Sequence, residues 1–314
     1  MSEPSAPPPP ASRLWPLLAG MLAANVVFAA LFFGVKAWRG AYPGQDGEWL
    51  AVPSLCLVPL VAGFAAAWFW RHLRPTIGDC LLHSLTTTLL ALAGAATVVH
   101  EGMVCLVIAA PALYVMILAG ALLGRIWFRP NDTRLRLSIL PVLALLTAGE
   151  TFQRTNETGV VTDEILIHAP PAKVWPHVLA FPEIPDAPDY WIFRLGLPYP
   201  TQTTNGGDFI GADRQCMFSD GITIREKIAE FVPHEKLTFD IVEQPTHPEA
   251  YGHITLHRGR FLLRDNHDGT TTLIGSSWYT LHVRPLWYFD LWTSDMTRAV
   301  HLRVMRHVKR IAEQ

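Results

Sequence analysis

Four apolar stretches of about twenty residues each dominate the first half of the chain and leave it few ways to fold. Leu14 to Val35 is broken only by Asn25, and Trp49 to Trp70, Cys80 to Val99 and Met103 to Trp127 have the same character. A helix needs about 20 apolar residues to cross the hydrocarbon core of a bilayer, and half-buried strands would alternate with polar positions instead. Each stretch therefore predicts a transmembrane helix. The first is too long for a signal-peptide core and no small-residue cleavage site follows it, so it is read as an uncleaved anchor. Residues 1–12, with four consecutive prolines from Pro7, are expected to be a disordered tail.

Short connections set the expected orientation. Arg13, Arg71 and Arg74, and the group Arg125, Arg129, Arg134 and Arg136 fall on one side of a four-helix arrangement, against Lys36 and Arg39 on the other. The positive-inside rule puts the N-terminus and the loop at 125–136 in the cytoplasm of a multi-pass protein of a bacterial-type inner or plasma membrane. A fifth segment, Leu137 to Gly149, is apolar but contains Pro141. At about 1.5 Å per residue it covers roughly 20 Å of a core of about 30 Å. The bundle is expected over residues 13–150 with four or five spans; snorkelling of Arg134 and Arg136 favours five, which puts the rest of the chain outside the cytoplasm. With four, it lies inside.

Beyond residue 160 the pattern changes to short alternating segments separated by turn residues. Charged residues, 17% of the whole, concentrate there, and the net charge of −2 leaves no basic surface for nucleic acid. Strands are expected at Val161 to His168, Ala212 to Phe218, Ile222 to Phe231, Lys236 to Glu243, Gly252 to Asn266 and Thr270 to Arg284, with Asn266 to Gly269 as a hairpin turn. A short helix is expected over Lys173 to Phe181, and five prolines among aromatic residues between Pro182 and Pro200 predict an irregular, lid-like segment. Leu286 to Glu313 reads as one long amphipathic helix, its apolar stripe running through Phe289, Trp292, Met296, Val300, Val304, Val308 and Ile311. An antiparallel sheet wrapped around that helix would leave a hollow for a ligand.

The order of a strand, Ala169-Pro-Pro-x-x-Val-Trp175 opening a helix, Phe181-Pro-x-Ile-Pro185, a long antiparallel sheet, Gly275-x-x-Trp-Tyr279 and a terminal helix resembles the START-like superfamily of polyketide cyclase/dehydrase and lipid-transport domains. The resemblance covers residues 160–314. It implies an α+β helix-grip domain, preceded here by an all-α transmembrane bundle, and a cavity between sheet and helix. Members of that superfamily bind lipids or other hydrophobic molecules, cyclise polyketides or serve in regulation, so the resemblance carries no catalytic set.

Strand alternation nominates the lining. Ile222, Ile224, Glu226 and Ile228 share one face, placing a carboxylate in an apolar row. Ile254, Leu256, Arg258, Arg260 and Leu262 share a face in the same way, so Arg258 or Arg260 is the expected partner of a buried Glu226, unless a bulge turns both cations to solvent. Trp191, Phe193, Tyr199, Phe239, Tyr279, Trp292 and Met296 complete the candidate ligand-binding set, with Tyr279 inward and Trp278 outward. None of the thirteen histidines has metal-site spacing: His253 and His257 on one strand stand about 13 Å apart. Neither metal nor cofactor is implied, and Cys56, Cys80, Cys105 and Cys216 form no CxxC pair. The expected function is membrane-tethered binding, or transfer, of a lipid or other hydrophobic small molecule. The alternatives are a cyclase or dehydratase using Glu226 with Tyr279 or a histidine as acid and base, and a sensory or scaffolding membrane protein.

Overall fold

The computed structural model describes residues 11–40, 53–128, 158–244, 253–283 and 286–314. The chain forms two compact units, Met1–Arg154 and Thr155–Gln314. The candidate fifth span, the proline-rich tail and the loop cations Arg129, Arg134 and Arg136 lie outside the described residues.

In the first unit the helices are α1 (Ala11–Gly40), α2 (Val58–Trp70), α3 (Ile77–Gly94) and α4 (Met103–Trp127). Four apolar segments in them, Leu14–Gly34, Leu55–Leu73, Ile77–Val99 and Met103–Trp127, are long and apolar enough to cross a membrane. Small residues bring α2 and α4 together. A Cβ on Gly63 would strike the Ile117 carbonyl, and one on Gly120 would strike the Leu60 carbonyl, so only glycine allows the two backbones this approach. Ala24, Ala62, Ala66 and Ala121 close around Trp70, whose indole N–H donates to the Leu17 carbonyl at 3.4 Å. Outer faces stay apolar: Leu14, Leu18, Leu22 and Val26 of α1, and Leu82, Leu85, Leu89 and Leu90 of α3, are exposed. On α3, Thr87 and Thr88 are satisfied within the helix, donating to the carbonyls of His83 and Ser84 at 2.7 and 2.8 Å. A Thr76–Asp79 capping box starts α3.

The second unit is one seven-stranded antiparallel sheet, β1 (Thr158–Ile167), β2 (Pro200–Asn205), β3 (Asp213–Phe218), β4 (Thr223–Val232), β5 (Lys236–Glu243), β6 (Ile254–Asp265) and β7 (Thr271–Leu281), ordered β1-β7-β6-β5-β4-β3-β2. Among the described residues the sheet does not close: β1 is bonded only to β7, and β2 only to β3. Between β1 and β2 runs α5 (Pro171–Leu179), started by a proline at its first position, where the missing N–H costs nothing. The long α6 (Leu286–Ala312) packs on the concave face and completes a helix-grip architecture. Its Val304, Met305 and Val308 share one core with Leu237, Phe239, Leu263 and Leu273 of the sheet and Val174 and Trp175 of α5. The β6–β7 hairpin turns at Asn266 to Gly269, where His267 and Gly269 take the positive φ values of 60° and 87° that such a turn demands.

Two features depart from the sequence reading. The strand β2 was not expected, because PTQTTN has no apolar alternation; it is an edge strand whose only buried side chain past Pro200 is Thr203. In β6 the pairing with β7 slips between Leu256 and Arg258. This bulge at His257 inserts one residue and reverses the alternation beyond it. Leu256, Gly259, Phe261 and Leu263 therefore face the helix, whereas Arg258 and Arg260 sit on the convex side.

Candidate functional site

Between α6 and the concave face of the sheet lies a cavity of about 110 Å³. Ile224 of β4, Phe239 and Ile241 of β5, Phe261 of β6, and Val300 and Val304 of α6 supply its apolar wall. Two polar assemblies interrupt it.

The first joins neighbouring strands. Arg214 of β3 and Glu226 of β4 are directly opposed in the ladder, and their side chains form an ion pair buried on both sides. The Arg214 Nε–H also donates to the Leu179 carbonyl at 3.2 Å, and its guanidinium lies 4.5 Å from the Phe239 ring centre. Burial pushes the Glu226 carboxyl above its ordinary range while Arg214 pulls it back. The adjacent Cys216 thiol is pushed up to about 12, chiefly by burial and then by Glu226, and so is no nucleophile near neutral pH.

The second assembly joins three elements. Asp163 of β1 receives a hydrogen bond from His301 of α6, Nδ1 to Oδ2 at 2.9 Å, and His301 Nε2 lies 2.8 Å from the hydroxyl of Ser277 on β7. Arg298 donates to the other Asp163 oxygen, also at 2.9 Å. Burial holds His301 below the ordinary histidine range against the opposing pull of Asp163.

Of the residues nominated from sequence, Ile224, Glu226 and Phe239 stand at this cavity, and Arg258 and Arg260 border it from β6 although the ladder register aims their side chains to the convex side. Glu226 is paired with Arg214, not with Arg258 or Arg260. The bulge carries those two to the convex face, where Arg258 meets Asp240 at 2.6 Å and Arg260 lies 5.1 Å from the Trp278 ring centre. Tyr279 faces α6 but is fully committed there, donating to Asp290 at 2.7 Å with its ring against Gly159, and burial pushes its hydroxyl up to about 12. Trp292 and Met296 are half-buried on α6 and outside the cavity wall. Trp191, Phe193 and Tyr199 belong to the segment over 182–200, which lies against α6 rather than in the hollow. Phe193 packs between Tyr190 and Tyr199, and Tyr190 donates to Asp295 at 2.6 Å. Asp189 and Asp186 take the guanidinium groups of Arg306 and Arg310.

Sequence reasoning missed Arg214, Asp163, Ser277 and His301. For Arg214 a signal existed: it alternates with Ala212 and Cys216 on a strand beside Glu226. Nothing in the sequence linked Asp163, Ser277 and His301, which are separated by more than a hundred residues in the case of Asp163.

No family model matches this chain, and no curated protein matches it in sequence. Among solved structures, an uncharacterised protein from Bacillus thuringiensis is similar over 50% of this chain and 100% of its own, at 19% identity and a TM-score of 0.36. A protein from Nitrosospira multiformis is similar over 48% and 94%, at 18% identity and a TM-score of 0.34. Norcoclaurine synthase from Thalictrum flavum, solved in complex with dopamine and hydroxybenzaldehyde, is similar over 50% and 87%, at 12% identity and a TM-score of 0.34. At such scores the architecture rests on the strand order and helix packing described above.

Proposed function

We propose that the second unit is a receptor for a small, largely apolar molecule carrying one polar group, and that the four apolar helices hold it at a membrane. The observation that supports this reading is the cavity itself: an apolar wall in which Arg214 is already paired with Glu226, and His301 with Asp163 and Ser277. Such a site receives an apolar body without stranding a buried charge. Its size sets the ligand class. A cavity of about 150 Å³ in another protein is known to hold benzene, so one of about 110 Å³ suits a group near the size of one aromatic ring. A lipid acyl chain or a fused-ring molecule would enter only if α6 or the 182–200 segment moved outward.

The test is binding of a size series of apolar solutes to the full chain in detergent micelles, followed by thermal shift and ligand-observed NMR. One-ring solutes such as toluene should bind and raise the unfolding temperature of the second unit, and Ile224→Trp, which fills the cavity, should abolish the shift. Failure of every one-ring solute to bind the wild-type chain would overturn the reading. The membrane placement is supported by the exposed leucines of α1 and α3. A reporter fused after Gln314 distinguishes a cytoplasmic from an extracytoplasmic second unit.

A further inference from the structure

We infer that Ser277 is an activated hydroxyl, and that the cavity carries out acyl transfer from small activated esters or thioesters of apolar acids through it. The inference rests on the cavity reading above and adds a reaction to it.

Three observations carry it. The chain Asp163–His301–Ser277 has hydrogen-bond lengths of 2.9 and 2.8 Å and is assembled from β1, α6 and β7, so no local turn explains it. Its direction is fixed: an ionised carboxylate only accepts, so His301 Nδ1 carries the proton toward Asp163 and Nε2 is left to accept from the serine. Arg298, bonded to the second oxygen of Asp163, holds the carboxylate in that orientation. Finally, His301 and Ser277 belong to the cavity wall beside Val300, Val304 and Phe261, so the reactive end of the chain meets the space where an apolar acyl group would sit. A buried imidazole needs a partner on each ring nitrogen, and here the partner on Nε2 is a hydroxyl that borders the cavity. The low basicity that burial gives His301 keeps it neutral, and thus an acceptor, at neutral pH.

The steps balance as follows. The Ser277 Oγ forms a bond to the acyl carbon as its proton passes to His301 Nε2; the bond from that carbon to the alcohol oxygen or thiol sulfur then breaks, and the leaving group takes the proton back. Water next attacks the acyl-serine ester, its proton moving to His301 and then to the departing Ser277 Oγ, which releases the acid. Ser277 pairs with Val161 on one side and Gly259 on the other, in the middle of the ladder, so its backbone N–H is committed to the sheet. Without a free backbone donor at the nucleophile, the tetrahedral oxygen is poorly stabilised, which limits the chemistry to substrates with good leaving groups.

The experiment uses the full chain in detergent with phenylmethylsulfonyl fluoride, a one-ring reagent that sulfonylates activated serines with loss of fluoride. One adduct per chain, mapped by peptide mass spectrometry to Ser277, is expected. The adduct should be absent from Ser277→Ala and His301→Gln, and should form roughly 10²–10⁴-fold more slowly in Asp163→Asn, which disturbs the histidine tautomer and leaves the serine in place. A wild-type chain that binds toluene but forms no adduct, or an adduct on another residue, overturns the inference and leaves the receptor reading intact. A chain that neither binds toluene nor reacts overturns both.

Discussion

The Arg214–Glu226 pair shows how one substitution in this site would be felt. Both side chains are buried, and removing one partner leaves the other charged in an apolar wall, which costs about 3–5 kcal/mol. Glu226→Leu is expected to destabilise the second unit by that amount, whereas the double change Arg214→Met with Glu226→Leu should recover most of it; chemical unfolding of the two variants decides. A different charge effect acts on α6. His301 and His307 are both held below the ordinary histidine value of 6.5, chiefly by burial. Asp163 and Ser277 face His301; Arg310, Arg303 and Asp186 surround His307, whose Nδ1 lies 2.7 Å from Arg310. Because their folded values are depressed, these histidines contribute full stability above pH 6.5 and lose it as pH falls through the folded values. Protection factors along α6, corrected for the intrinsic exchange rate at each pH, should therefore fall from pH 7.5 to pH 5. Single residues were also where sequence reading reached its limit. Glu226 was visible as a carboxylate in an apolar row, but the expected partners Arg258 and Arg260 are turned away by a one-residue bulge that no alternation pattern announces, and Arg214, directly opposite on β3, takes their place.

At the scale of elements, the contact between α2 and α4 depends on glycines that cannot be enlarged. Gly63→Ala or Gly120→Ala pushes a methyl group into a backbone carbonyl, which no side-chain rotation relieves, and each is expected to cost about 1–3 kcal/mol. Gly94→Ala in α3 meets no atom within 4 Å and should be neutral or slightly stabilising; thermal unfolding of the three variants in detergent separates the two cases. In the second unit, the 182–200 segment is fastened to α6 by ion pairs exposed to solvent. Replacing Arg306 and Arg310 together with alanine should lower hydrogen-exchange protection at Phe193–Leu195 while costing no more than about 1–2 kcal/mol. The strands that alternate apolar and polar side chains were legible in sequence, as was the long amphipathic helix, since burial on one face imposes the period. The strand β2 was not, because an edge strand with one buried residue past its proline has almost no pattern to show.

Across the whole molecule, the contrast in surface between the units is what composition foretold. The first exposes rows of leucine on two helices, whereas the second gathers a core shared by sheet, α5 and α6 and leaves scattered apolar side chains such as Val160, Phe209, Ile210 and Trp287 at its surface. If those leucines face lipid, the full chain should remain in the membrane pellet after alkaline carbonate extraction; release into the supernatant would refute that placement. The open sheet has a further consequence, for self-association. Its two margins are unequal: β2 has six residues and begins with Pro200, which has no N–H to offer, whereas β1 runs for ten residues with Val160 and Leu166 exposed. Strand-to-strand pairing between copies is therefore blunted at β2. Copies brought close together would find β1 the more adhesive margin, and a charge placed at Val160 would be the economical way to keep them apart.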